Sequence, residues 1–296
     1  MRRLFTFRRA RRLPQYCTPS DREGLRGAGR FNARVIDMLR PHVRAGISTG
    51  RLDELAEEYI RDHRHIPACY GYKGFPRSLC TSVNQVVCHG IPGKYELRDG
   101  DIVNIDCTTI VDGWFGDSSE TFLIGDVSPE ALHVTQASFN AMWLGIRAIR
   151  PYSPVLDIGR AISRYAEQQG LGVVENFQGH GIGRRFHQDP GIPHHPTASA
   201  KKDILFPGVS FTIEPMLNIG SKDVHPPLPD GWTVITKGGT LSAQFEHQIL
   251  MTEDGPEVLT LTDQGPQEGF RFAPTAAERE RLLPACSSPI CLSGAL

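Results

Sequence analysis

The 296-residue chain has no apolar run long enough to cross a bilayer, so a helical membrane span is not expected. It has almost no net charge, with 32 Lys and Arg against 33 Asp and Glu. Nothing in that balance points to nucleic acid as a main partner. A disulfide framework is not indicated either: the seven cysteines (17, 69, 80, 88, 107, 286 and 291) are odd in number and scattered, a usage that fits a reducing compartment. Cys88 and Cys107 fall in segments that read as buried, and Cys286 and Cys291 have no matching pair to complete a zinc finger. No acid precedes Asp21, and the first twelve residues carry six arginines but lack the apolar core of a secretory signal.

What the sequence does have is five residues of metal-binding type, Asp106, Asp117, His180, Glu214 and Glu246, each within a short motif. Four carboxylates crowded into one pocket would repel one another and could not all stay ionised without cations between them. If they converge, the natural occupants are a pair of divalent metals and the natural chemistry is activation of water. Counting places two of them. Asp101–Ile110 reads as a strand rich in β-branched residues, Asp112-Gly113 as a two-residue hairpin turn, and Trp114–Ile124 as the returning strand. That register sets Asp117 opposite Thr108 and Ser119 opposite Asp106, so the two aspartates share a face as diagonal neighbours roughly 7–8 Å apart. A bulge would undo the arrangement.

The second half of the chain repeats the first. Asp106 lies six residues after Gly100 and Glu214 six residues after Gly208, each in an apolar strand. Arg40-Pro41 and Arg150-Pro151 each close an amphipathic helix, and further helical patterns follow at Leu52–Ile60 and Val155–Ala166. Two copies of helix, helix and strand hairpin, offset by slightly over a hundred residues, predict an α+β fold of two pseudo-symmetric halves. A pseudo-twofold would bring the carboxylate strands together at its centre.

Taken singly these residues are weak signals, since a strand Asp is more often solvated and Phe75, Phe186 and Trp232 more often core. Their joint order is specific. The runs Ser82-Val83-Asn84, Val87-Cys88-His89-Gly90-Ile91-Pro92, Asn104-Ile105-Asp106, Gly116-Asp117, Gly179-His180-Gly181-Ile182-Gly183 to Phe186-His187, Thr212-Ile213-Glu214-Pro215 and Ser242-Ala243-Gln244-Phe245-Glu246-His247 resemble those of type I methionine aminopeptidases, from about Gly24 to Leu261. The resemblance implies the pita-bread fold, a curved antiparallel sheet backed by helices, with a dinuclear metal site. It implies that Asp106 chelates one metal, His180 with Glu214 the other, and that Asp117 and Glu246 bridge both. Glu214 would also shuttle a proton, while His89 and His187 would steady the reacting peptide group. A methionine side chain would lie among Tyr72, Phe75, Cys80, Phe186 and Trp232, with His89 at the edge. The metals would be Co, Mn, Fe or Zn, and the backbone carbonyls of Asn84, Val86 and Ser242 would hold a Na or K ion. The activity implied is removal of the initiator methionine from nascent chains with a small second residue. An X-Pro peptidase of the same fold and a non-catalytic binding protein are the alternatives.

The expected domains are an Arg-rich, flexible extension over 1–19, a catalytic domain over 20–262 and a loose tail over 263–296 with one short helical candidate, Ala276–Leu283. The resemblance implies a cytoplasmic monomer, or a mitochondrial or plastid protein if the extension is a transit segment. The arginines equally suit a basic arm at the ribosome near the exit tunnel, or a stretch added by an upstream start codon. Ser20 and Glu23 are expected to form a capping box at the first helix. Phe115 and Glu120 depart from the family pattern without touching a ligand position, and Lys222–Trp232 reads as a rigid, proline-rich loop over the cleft.

Overall fold

The computed structural model describes residues 13–282; the Arg-rich segment 1–12, Leu283, Cys286 and Cys291 lie outside the described residues. Helices α1 (Pro19–Leu39) and α2 (Thr49–Asp62) lead through short strands β1 (Ile66–Pro67), β2 (Leu79–Val83) and β3 (Val86–Cys88) to the hairpin of β4 (Ile102–Val111) and β5 (Trp114–Leu123). The second half opens with α3 (Pro129–Arg147) and α4 (Leu156–Gln168), followed by β6 (Leu171–Val173), β7 (Gly179–Gly181) and β8 (Gln188–Ile192). Then come β9 (Ser210–Ile213), β10 (Met216–Ile219), β11 (Val234–Ile235), β12 (Ser242–Gln244), β13 (His247–Met251), β14 (Pro256–Val258) and a last helix, α5 (Ala276–Leu282). Strand pairing among the described residues is antiparallel, as in β4 with β5, β9 with β13 and β10 with β12.

The β4–β5 register is the one the turn predicts, with Thr108 opposite Asp117 and Asp106 opposite Ser119, and no bulge intervenes. In the second half the repeat takes a different form. β9 and β10 do not fold onto each other but follow one another along a single bent strand, interrupted at Glu214-Pro215, and pair with β13 and β12. Ile213 faces His247 and Met216 faces Gln244, so continuing that register sets Glu214 opposite Glu246 at the bend. The second hairpin therefore has a long loop, which carries Lys222–Trp232.

The halves meet along their inner strands. Ser119 and Glu246 exchange backbone hydrogen bonds at 3.4 and 3.0 Å, and the Gln244 carbonyl accepts from Thr121 and Asn104. On the outer face α1 and α2 bury Phe31, Leu39, Leu52 and Ile60 against Val103 and Ile105 of β4. In the second half α3 and α4 bury Phe139, Ile158 and Ile162 with Phe211 and Ile249. The apolar stripe of each helix meets one face of a sheet, leaving the other face for the carboxylates.

Three boundaries differ from expectation. The cap of α1 is Thr18, whose hydroxyl accepts from the Asp21 N–H, while Glu23 pairs with Arg30 instead of closing a capping box. Pro19 explains the shift, because its fixed φ and missing N–H suit the first helical position. Residues 13–18 are not a free arm: Leu13 is buried, and Tyr16 bonds Gly208 through its backbone and Gln188 through its hydroxyl. Nor is the described part of the tail, residues 263–282, loose throughout, since Phe270 and Phe272 pack on the second-half core and Phe272 lies edge-on to Phe139 at 5.6 Å. Composition concealed this because two aromatics anchor a segment otherwise built of turn-forming residues. No helix among the described residues is long and apolar enough to cross a membrane.

Glu120, unusual by the family pattern, faces away from the carboxylate cleft. Its two oxygens grip the buried guanidinium of Arg40 at 2.6 and 2.9 Å, and Arg40 also pairs with Asp37. Asp37 in turn accepts from the Asp263 and Gln264 N–H groups, so this triad clasps the C-terminal segment to α1 and β5. Replacing Arg40 with Met strands two buried carboxylates and is expected to cost about 3–5 kcal/mol in urea denaturation. Adding Glu120→Leu should recover much of that loss. A single-variant cost below about 1 kcal/mol would show that the clasp contributes little.

Candidate active site

Each half of the fold delivers carboxylates to one cavity of about 310 Å³ on the inner face of the sheets. Its lining includes all twelve residues singled out in the sequence: Asp106, Asp117, His180, Glu214 and Glu246; His89 and His187; and Tyr72, Phe75, Cys80, Phe186 and Trp232. Asp106 and Asp117 come from the β4–β5 hairpin, Glu214 and Glu246 from the bend of the second hairpin, and His180 from β7.

The glycines around His180 have a structural cause. A side chain at Gly179 would sit 2.4 Å from the Thr212 carbonyl oxygen, and one at Gly181 would sit 2.1 Å from that of Asp189. Only bare backbone lets β7 lie between its neighbours with the imidazole turned inward. His180 is pinned at both ends, its N–H donating to the Thr212 hydroxyl and its Nδ1 to the Gly181 carbonyl. Because a carbonyl only accepts, the bond assigns the proton to Nδ1 and leaves the Nε2 lone pair free. Nε2 lies 3.6 Å from Asp117 Oδ2 and 3.8 Å from Glu214 Oε1.

Two of the carboxylates are held by neighbours that fix their direction. Asp117 accepts from the Thr108 hydroxyl at 2.8 Å, and its own N–H donates to Gln248. Glu214 accepts from Thr212 at 2.7 Å and from Gln244, while its N–H donates to Nε2 of buried His194. His194, Gln248 and Gln178 were not picked out from the sequence. Thr108 was legible as the cross-strand partner of Asp117, whereas nothing local marks His194 in the run Pro193-His194-His195-Pro196 or Gln248 on β13.

Burial dominates the electrostatics. It raises Asp106 to about 7 and, with the charge of Asp106 added, Glu214 to about 8. Asp117 and Glu246 are pushed well above the usual carboxylate range by burial and then by their neighbours' charges. Burial lowers His180 to about 4, keeping it neutral. Oxygen atoms that repel one another and a free imidazole nitrogen form a donor set suited to divalent cations. Asp117, His180 and Glu246 each offer a ligand atom within 4.8 Å of the others.

The rest of the cavity is aromatic and thiol-lined. Phe75 meets Trp232 edge-on at 5.1 Å and packs with buried Cys69 and Cys80, while Tyr72 and Phe115 flank Phe186 at 4.7 and 5.6 Å. Phe115, the other departure from the family pattern, thus backs a lining ring. The Tyr72 hydroxyl lies 2.9 Å from His187 Nδ1. His89 has a left-handed backbone (φ 56°), uncommon outside glycine, and sits edge-on to Phe177 and Trp232.

These shifts set how the metal-free protein responds to pH. Asp106 and Glu214 keep protons that the unfolded chain releases near pH 4, so their contribution is complete at acid pH and is lost as pH climbs through about 7 and 8. Neutral His180 acts oppositely, but only below its ordinary value of 6.5. Between pH 6.5 and 8 the carboxylates act alone. Chelated protein is therefore expected to lose melting temperature across that window and to regain it when Mn is added at pH 8. Calorimetry in two buffers should find more protons released on Mn binding at pH 6.5 than at pH 8.5. A flat or rising melting temperature across the window would contradict this assignment.

Residues 23–253 match metallopeptidase family M24. The chain is 45% identical to methionine aminopeptidase of Escherichia coli (strain K12) over 246 residues, covering 82% of this chain and 92% of the relative. It is 50% identical over 240 residues to methionine aminopeptidase A of Synechocystis, covering 81% and 94%. The crystal structure of methionine aminopeptidase from Rickettsia prowazekii superposes with a TM-score of 0.82 at 44% identity, over 84% of this chain and all of that one. X-Pro aminopeptidase from Thermotoga maritima shares the fold at 19% identity and a TM-score of 0.64, with 62% of its length covered. With its carboxylate-lined cavity and similarity along most of its length, the chain belongs to metallopeptidase family M24, among the methionine aminopeptidases.

Proposed function

We propose that the chain hydrolyses the first peptide bond of nascent polypeptides, releasing the initiator methionine where the second residue is small. The observation that carries this reading is the convergence of five metal-type ligands and an apolar, thiol-containing pocket in one cavity. Asp106 would hold one divalent cation, His180 and Glu214 the other, with Asp117 and Glu246 between them. When bound, such cations supply the activation of water and an anchor for a free α-amine. The oxygen-rich donor set suits Mn, Fe or Co more than a thiolate zinc site, with Zn also accommodated.

Glu214 is the group that takes a proton from the attacking water and delivers it to the leaving amine, its carboxyl being aimed within the cavity by Thr212 and Gln244. His187 is neutral, lowered to about 3 by burial and then by His180, Lys73 and His89. With Tyr72 donating into Nδ1, its Nε2–H is left to stabilise the developing oxyanion. His89, fixed by its backbone, steadies the scissile nitrogen. The methionine thioether packs among Tyr72, Phe75, Cys80, Phe186 and Trp232, where polarizable sulfur meets ring edges.

A Na or K ion held by the carbonyls of Asn84, Val86 and Ser242 is part of the same reading. The Asn84 carbonyl accepts from the Ser242 N–H at 2.9 Å, and the buried Ser242 hydroxyl has no partner. The protein is proposed to act as a monomer at nascent chains, near the ribosomal exit tunnel. Its compartment would be the cytoplasm, or a mitochondrion or plastid if residues 1–12 are a transit segment. No observation favours X-Pro cleavage, for which the likeness goes no further than fold.

After chelation and reloading with Mn, Fe, Co or Zn, the protein should release Met from Met-Ala-Ser and leave Ala-Pro peptides intact. Asp117→Ala should abolish release and lower metal stoichiometry. His187→Ala should lower kcat by about 10²-fold or more with stoichiometry unchanged. Faster cleavage of Ala-Pro peptides than of Met-Ala-Ser would overturn the assignment, and full metal loading without turnover on either would support a binding protein instead.

A further inference from the structure

The cavity does not end at His187. His180 and His187 also line a wider, more open groove of about 780 Å³, whose wall includes Gln178, Arg184, Arg185 and Asp189. Charge along this path is ordered. The inner end carries the four carboxylates, whereas the rim carries cations on two loops: Lys73 between β1 and β2, and Arg184 and Arg185 between β7 and β8. Lys73 is exposed and close enough to help hold His187 neutral.

The two arginines are differently placed. Arg184 is held in the protein, its guanidinium 3.8 Å over the Trp114 ring and donating to the Asp112 carbonyl at 3.0 Å. Arg185 is exposed, and its side chain has no ion pair or hydrogen bond among the described residues. Asp189, the acid lining the groove, is already engaged by an interaction of its own. A substrate whose free amine and first side chain occupy the inner cavity must leave past His187. An extended chain advances about 3.3 Å per residue, so its third and later residues are the ones that run out along the groove.

We propose that this groove carries the substrate chain beyond its second residue, and that Arg185 makes acidic side chains there favourable over basic ones. The inference rests on the peptidase reading above. Arg185 is remote from the reacting atoms, and an exposed charge attracts the bound chain equally before and during reaction. Its effect therefore belongs in KM rather than kcat. It is also modest and screened by salt.

The test uses the full-length, Mn-loaded protein and three peptides: Met-Ala-Asp-Asp-Asp, Met-Ala-Ser-Ser-Ser and Met-Ala-Lys-Lys-Lys. At low salt, kcat/KM is expected to fall in that order, with about a fivefold span arising in KM and shrinking at about 0.5 M NaCl. Arg185→Ala should narrow the span and Arg185→Glu should invert it, with kcat on the serine peptide little altered by comparison with KM. Equal rates on all three peptides, or a preference for acid that survives Arg185→Glu, would overturn the proposal while leaving methionine release intact. Failure to release Met from any peptide would instead remove the reading on which it rests.

Discussion

Four carboxylates line one cavity, and their mutual repulsion governs the architecture around it. Burial raises the proton affinity of each acid, and for Asp117, Glu214 and Glu246 the neighbouring charges raise it further. The fold tolerates this because the groups come in pairs from two independently packed halves, each with its own helix-backed core. The destabilisation is concentrated where cations can relieve it, and the apolar packing that opposes it lies on the far face of the same strands.

A group that is electrostatically uncomfortable tends to turn away, so orientation has to be enforced. Thr108 and Gln248 hold Asp117, Thr212 and Gln244 hold Glu214, and His194 holds the Glu214 backbone. The Gly181 carbonyl fixes the tautomer of His180. These partners are mostly neutral hydroxyls, amides and imidazoles, which orient the anions without neutralising them. A lysine or arginine in their place would have competed with the metal for the same charge.

Much of this was legible from the chain. The Asp112-Gly113 turn specified the register of Asp106 and Asp117 because strand alternation leaves no freedom once the turn is fixed. The internal repeat indicated that the halves meet at their carboxylate strands, and the Gly-His-Gly pattern signalled a tight backbone approach. The form of the second hairpin was less visible, since Glu214-Pro215 breaks one strand into two and a long loop replaces the tight turn. Thr18 as helix cap, the clasp of Arg40 on Glu120 and the seating of Phe270 and Phe272 depend on contacts between distant segments. His194 and Gln248 were missed for the same reason: their work is done across the fold, and no local spacing announces it.

The reciprocal backbone bonds between Ser119 and Glu246 have a consequence for the spacing of the acids. Because main chain, and not side chain, spans the seam between the halves, the distance from the carboxylates of one half to those of the other is set by strand geometry. A substitution elsewhere can tilt an acid, but it does not remove the bonds that hold the two inner strands side by side.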